Sequence, residues 1–206
     1  MIGCRLLVVG CKFLPMRKIT FDIETTNLFS EVGSNDPSLL NISVVCVHDS
    51  ETGEYSSYFQ EDFKKLWPII ENADMLIGFN SDHFDIPLLN KYYPGDLKKI
   101  KSLDLMKEIK DSLGRRIKLD TIAQATLGKG KIGHGLDAIT WWKKGEKDKV
   151  VKYCIEDVKI TKELYDYARK NGHLKYSDGT KIKEIKLDPR AWEDKEESAI
   201  THTLPF

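Results

Sequence analysis

The chain has 206 residues, of which 41% are hydrophobic and 31% charged, enough for one sizeable α/β domain whose core needs no staples. Lys+Arg and Asp+Glu balance at 32 each, so net charge gives no reason to expect a polyanion partner, and any such partner must be argued from a local site. No apolar run approaches membrane-spanning length, and Cys4, Cys11, Cys46 and Cys154 form no C-x-x-C pair, which argues against zinc and for small core thiols in a reducing, cytoplasmic setting. Residues 1–15 are apolar with Arg5 and Lys12 mixed in, without the ordered regions of a signal peptide. Met16 directly precedes the first clear strand and reads as the natural start, with residues 1–15 an upstream extension or an added edge strand.

That strand is residues 19–26. Ile19, Phe21 and Ile23 alternate with Thr20, Asp22 and Glu24, the period of a β-strand. Residues two apart project to one side, so Asp22 and Glu24 are neighbours. Two carboxylates so close repel, and a hard divalent cation with oxygen ligands would relieve them; a merely wet strand face is the alternative. Residues 27–38 read as an exposed loop. Residues 42–47 and 55–59 read as second and third strands in a meander with the first, joined by a turn at 49–53.

Phe63, Leu66, Trp67 and Ile70 have helical spacing, and residues 75–79 form a short apolar run typical of a strand covered on both faces. Further helices are expected at 83–92, 105–113, 119–127, 136–142 and 147–170. Gly172 caps the last, and residues 174–176 and 182–187 make a hairpin around Asp178-Gly179. The polar, acidic stretch 188–206 is expected to be only partly ordered. The domain division is therefore 1–15, 16–172 and 173–206. No internal repeat or P-loop signature occurs.

Three further positions carry chemistry. After the strand 75–79, Ser81 or Asp82 can cap the next helix, with Pro87 in its first turn and Asp85 beside it. Asp85 then stands at the carboxyl end of a sheet strand, where ligands bind in open α/β sheets, although complementing the helix dipole would also explain it. On helix 147–170, Val150, Tyr153, Cys154, Asp157, Val158, Thr161, Leu164, Tyr165 and Ala168 form one stripe, placing Asp157 inward. An inward carboxylate needs a salt bridge or a metal.

D-x-E on the first strand, N-x-x-x-F-D after a later strand, and Y-x-x-x-D on a late helix together resemble the DEDD 3′–5′ exonucleases of the ribonuclease H-like superfamily. The Tyr of the third motif matches the DEDDy subgroup. The stretches 119–128 and 153–158 are similar to its stand-alone YprB-like branch. The resemblance covers residues 18–170. It implies a ribonuclease H-like α/β fold, a mixed five-stranded sheet flanked by helices, here with a small C-terminal β-hairpin. It also implies two divalent ions, Mg²⁺ or Mn²⁺, on Asp22, Glu24, Asp85 and Asp157. Tyr153 would orient the attacking water, and single-stranded DNA or RNA ends would yield nucleoside 5′-monophosphates. No polymerase or helicase accompanies the domain in this sequence, so such a partner would act in trans; no membrane role is implied.

Thr25, Asn80, Phe84, Lys131 and His134 are the candidate substrate-binding residues. The loop 128–135 could touch phosphates or be merely solvated, and Phe84 could stack on a base or fill core. The basic runs 98–101, 115–118 and 143–144 could track a strand backbone or simply aid solubility. Trp141-Trp142 reads as packing. The alternatives to exonuclease are a catalytically silent nucleic-acid-binding module and an endonuclease using the same site.

Overall fold

The computed structural model describes residues 15–130 and 135–194. Strands β1 (Lys18–Thr25), β2 (Ile42–Asp49), β3 (Tyr55–Tyr58), β4 (Met75–Gly78) and β5 (Ser102–Asp104) form one mixed sheet in the order β3-β2-β1-β4-β5. β1, β2 and β3 make the expected antiparallel meander, while β4 and β5 run parallel to β1. The family resemblance implies a fifth strand without locating it. That strand is three residues long, too short to show a period.

The remaining elements are α1 (Phe29–Val32), α2 (Phe63–Glu71), α3 (Asp85–Asn90), α4 (Leu105–Leu113), α5 (Leu119–Leu127), α6 (Gly135–Lys143) and α7 (Lys147–Asn171), followed by the hairpin β6 (His173–Asp178) and β7 (Lys181–Lys186). Both faces of the sheet are covered. Ile19, Phe21 and Ile23 of β1 pack with Leu76, with Leu66 and Ile70 of α2, and with Ile86 and Leu89 of α3. On the other face, Met75, Ile77 and Leu103 meet Ile109 of α4, Ile122 of α5 and Ile160 and Leu164 of α7. Val44 and Cys46 meet Val150, Cys154 and Val158 of α7. The polar face of β1 therefore looks onto α7 and not onto solvent, with Thr20 only 2% exposed.

At the carboxyl end of β1 the ladder is irregular. Glu24 faces Val44 but Thr25 faces Ile42, so Ser43 is an extra residue on β2. Such a bulge increases local twist and ends regular pairing. β1 and β4 also pair only over Lys18–Thr20 and Met75–Ile77, leaving the last residues of β1 clear of β4.

Several local expectations are corrected. Residues 27–38 contain the one-turn α1 and a 3₁₀ turn at Pro37–Leu39, because Asp36 accepts from the Ser38 amide. α3 begins at Asp85, later than 83, and neither Ser81 nor Asp82 caps it: Asp82 accepts from the Ser102 hydroxyl instead. Pro87 does fall in the first turn. Of the stretch 188–206, residues 188–194 are described, with a 3₁₀ turn at Pro189–Ala191 and Trp192 only 6% exposed, and residues 195–206 lie outside the described residues. Trp192 stacks on Tyr165 with centroids 5.9 Å apart and donates from Nε1 to Glu108 at 2.9 Å. Leu174, Tyr176 and Ile185 of the hairpin join the same core as α4, α5 and α7.

Candidate metal centre

β1 carries Asp22 and Glu24 out to the irregular end of the sheet, and α7 crosses beneath with its buried stripe turned to that strand. The result is an acidic trio. Asp22, Glu24 and Asp157 each offer a carboxylate oxygen, and these atoms lie within 4.8 Å of one another. Asp22 is partly exposed while Glu24 and Asp157 are buried. The Cys154 thiol, one turn before Asp157, donates to the Asp22 carbonyl at 3.4 Å. That contact fixes the spacing of α7 and β1. Burial raises the Cys154 thiol well above its ordinary value, followed by its hydrogen bond with Cys46, so it stays protonated and inert. Cys46 and Cys154 are free and buried, as expected of core thiols.

Asp85 stands outside the trio yet beside it. It is 5% exposed at the first position of α3. Burial pushes its carboxyl well above the usual range; the charges of Asp22 and Asp104 push it further, against the lowering effect of its own amide and that of Ile23. The Ile23 amide belongs to the stretch of β1 that β4 no longer pairs. Asp85 thus closes the gap where the two strands part.

Tyr153 lies one turn before Asp157 on the same stripe and is 3% exposed, its ring edge-on to Trp141 at 6.1 Å. Trp142 packs near Phe59 at 6.2 Å with Lys147 above both rings, so the tryptophan pair serves packing as expected. Phe84 is half-buried, edge-on to Phe29 at 6.0 Å. Thr25 is buried and its hydroxyl donates to the Asn27 carbonyl. Asn80 holds a left-handed φ of 68°. Lys131 and His134 lie outside the described residues.

The basic runs are split. Lys143 pairs with Glu31 at 2.7 Å, Arg115 lies over the Tyr176 ring and Lys101 donates to the Asp194 carbonyl. Lys98 and Lys99 are exposed, and with Lys101 they line a cleft of about 730 Å³ that reaches Asp82 and Ile86, next to Asp85. Asp74 also lines it, so the cleft is of mixed charge.

The residue that sequence reasoning missed is Asp104, buried at 5% exposure on β5. Its only sequence signal is an Asp directly before a helical period, the pattern of an N-cap.

A mixed sheet of this order, with carboxylates gathered where its central strand ends, defines a ribonuclease H-like nuclease fold. The family model described as the RNase_H superfamily matches residues 19–169, and the chain belongs to that superfamily. A family B DNA polymerase from the hyperthermophilic archaeon Pyrobaculum calidifontis is similar in structure, with a TM-score of 0.59 and 19% identity. The match covers 75% of this chain but only 25% of the polymerase chain, so it speaks for the fold alone. The comparison with curated proteins found no match. Among the described residues no helix is long and apolar enough to cross a membrane.

Nucleases of this fold use divalent metals, and the donor set fits such ions: carboxylate oxygens, converging from β1 and α7.

Proposed function

We propose that the protein is a metal-dependent 3′–5′ exonuclease of the DEDDy type, in the stand-alone YprB-like branch, acting on single-stranded DNA or RNA ends in the cytoplasm. The observation that carries this reading is the convergence of Asp22, Glu24 and Asp157 within 4.8 Å, with Asp85 buried alongside. Asp22, the most exposed of the trio, would be shared between two ions. Glu24 and Asp157 would complete the shell of one ion and Asp85 would serve the other. Two Mg²⁺ or Mn²⁺ ions bound there would supply a nucleophilic water and stabilise charge on the attacking and leaving oxygens.

The chain's own groups do the rest. Tyr153, one turn from Asp157, would orient the attacking water through its hydroxyl. Phe84 stands beside Asp85 at the rim and would meet the terminal base; Asn80 and Thr25 flank it on the two strand ends. Lys98 and Lys99 would hold upstream phosphates along the adjoining cleft, giving a strong salt dependence.

The test uses 5′-labelled DNA and RNA strands with Mg²⁺, Mn²⁺ or EDTA. The labelled strand should shorten in single-nucleotide steps, a 3′-phosphate should slow it, and EDTA should stop it. A covalently closed single-stranded circle should survive. Cleavage of the circle at a comparable rate would make the protein an endonuclease, and no cleavage of any strand with either metal would make it a silent binding module.

A further inference from the structure

Asp104 draws together two segments that α3 cannot join by itself. Its Oδ1 accepts from the Met106 amide at 2.9 Å and the Lys107 amide at 3.4 Å, which caps α4. The same oxygen accepts from the Asn80 amide at 2.7 Å, and Oδ2 accepts from the Asp82 amide at 3.2 Å. A cap alone would need only the first pair. The second pair reaches over to the turn that leads from β4 to Asp85.

That turn needs an external hold. Asn80 is left-handed, a backbone conformation that residues with a Cβ adopt rarely and Asn more readily than most. Ser81 lies directly over Gly78, where an added Cβ would collide with the Ser81 hydroxyl. The turn then hands its position to α3 through the backbone: the Phe84 amide donates to the Asn80 carbonyl at 3.0 Å and the Ile86 amide to the Ser81 carbonyl at 2.9 Å. α3 is six residues long and has no side-chain cap, so the turn fixes where it starts, and its first residue is Asp85.

We propose that Asp104 is a positioning residue for the metal centre: by holding the Asn80–Asp82 turn it sets Asp85 against Asp22, Glu24 and Asp157. It does so without touching metal or substrate. The inference rests on the metal-centre reading given above.

The discriminating variant is Asp104→Ser. Serine is a good cap for α4 but is too short to reach the amides of Asn80 and Asp82. Mn²⁺ binding is titrated by electron paramagnetic resonance for wild type, Asp104→Ser, Asp85→Asn and the double variant, with amide hydrogen exchange read at Asn80 and Asp82. Asp104→Ser should lose about tenfold in Mn²⁺ affinity, in the range typical of residues that orient ligands. Exchange at both amides should accelerate. The double variant should bind no more weakly than Asp85→Asn alone, because both changes act through one carboxylate. Wild-type affinity in Asp104→Ser, or losses that add in the double variant, would overturn the inference. Should the serine variant fail to fold, Asp104→Asn keeps the cap and the Asn80 bond and removes only the Oδ2 acceptor of the Asp82 amide; Mn²⁺ affinity should then fall less than in the serine variant, and unaltered affinity alongside faster exchange at Asp82 overturns the inference. A wild-type protein that takes no Mn²⁺ overturns the metal-centre reading, and the inference falls with it.

Discussion

α7 takes part in two acidic sites, and the two are opposites. Near the middle of the helix Asp157 meets Asp22 and Glu24. Two to three turns on, Tyr165 and Arg169 meet Glu193, which Lys18 also holds at 2.7 Å from the start of β1. Burial pushes the Glu193 carboxyl up, but hydrogen bonds from Arg169, Lys18 and Tyr165 outweigh it and hold the group at about 2. Asp85, beside the first site, is driven the other way, with like charges adding to burial. One site surrounds a single acid with donors and cations, as a structural clip does. The other gathers several acids in a small space, the arrangement that could hold a cation.

The largest expected effect breaks the acidic site. Asp157→Asn should cost about 10³-fold in turnover, at the upper range for losing one preorganised electrostatic group. Its apo melting temperature should equal or exceed wild type, because a crowded charge has gone. In wild type, Mg²⁺ at 100 times its dissociation constant should add about 2.7 kcal/mol of stability, and the variant should lose most of that response in a thermal melt.

At the clip the pattern should invert. Trp192→Ala removes a buried ring stacked on Tyr165 and should cost about 3 kcal/mol in denaturant titration, with Mn²⁺ affinity unchanged. An equal loss of metal affinity would show that the two sites on α7 are not independent.

Tyr153→Phe sharpens the acidic site without emptying it. The ring stays against Trp141, so turnover should fall about tenfold through loss of a positioning hydroxyl while metal affinity holds. Abolished metal binding would place the hydroxyl among the ligands.

Glu193→Gln should show the smallest effect, on the order of 1 kcal/mol at neutral pH for charged hydrogen bonds at a partly exposed site. The sign follows from a carboxyl whose folded value lies below its ordinary one of 4.5. The contribution is complete above about 4.5, and it is lost as pH falls toward about 2. The stability gap between variant and wild type should therefore close across that window. A gap that persists at pH 2 would mean packing and not charge holds the clip.

The architecture is largely legible in the sequence because its signals are long. Alternation in β1, the apolar run of β4 and the 25-residue stripe of α7 each repeat a period several times. Those periods alone put Asp22 and Glu24 on one side of a strand and Asp157 on an inward face. What stays hidden is short or long-range. Three residues of β5 show no period, so nothing singles out Asp104 in the sequence. Its second pair of bonds spans more than twenty residues of sequence and leaves no local mark. Trp192 is masked by its polar neighbours, since composition averages away one aromatic residue. The start of α3 is misread because Ser81 and Asp82 look like caps, while Asp104 takes the Asp82 amide and Asp82 itself binds Ser102. Asp85 is close to the trio in space, but only the parting of β1 from β4 makes room for it.

The extra residue at Ser43 sets how the protein can change length. A strand has a repeat of two, so gaining or losing one residue turns every later side chain to the opposite face. The exposed turn residues 51–54 and the exposed loop residues 35–36 can gain or lose neighbours, because neither change alters the pairing of β1 with β2. Removing Ser43 would instead restore an even ladder beside Glu24 and flatten the strand end. Inserted residues should therefore be tolerated on both flanks of β2 and rejected within it: the protein can vary in size around a strand whose count is fixed.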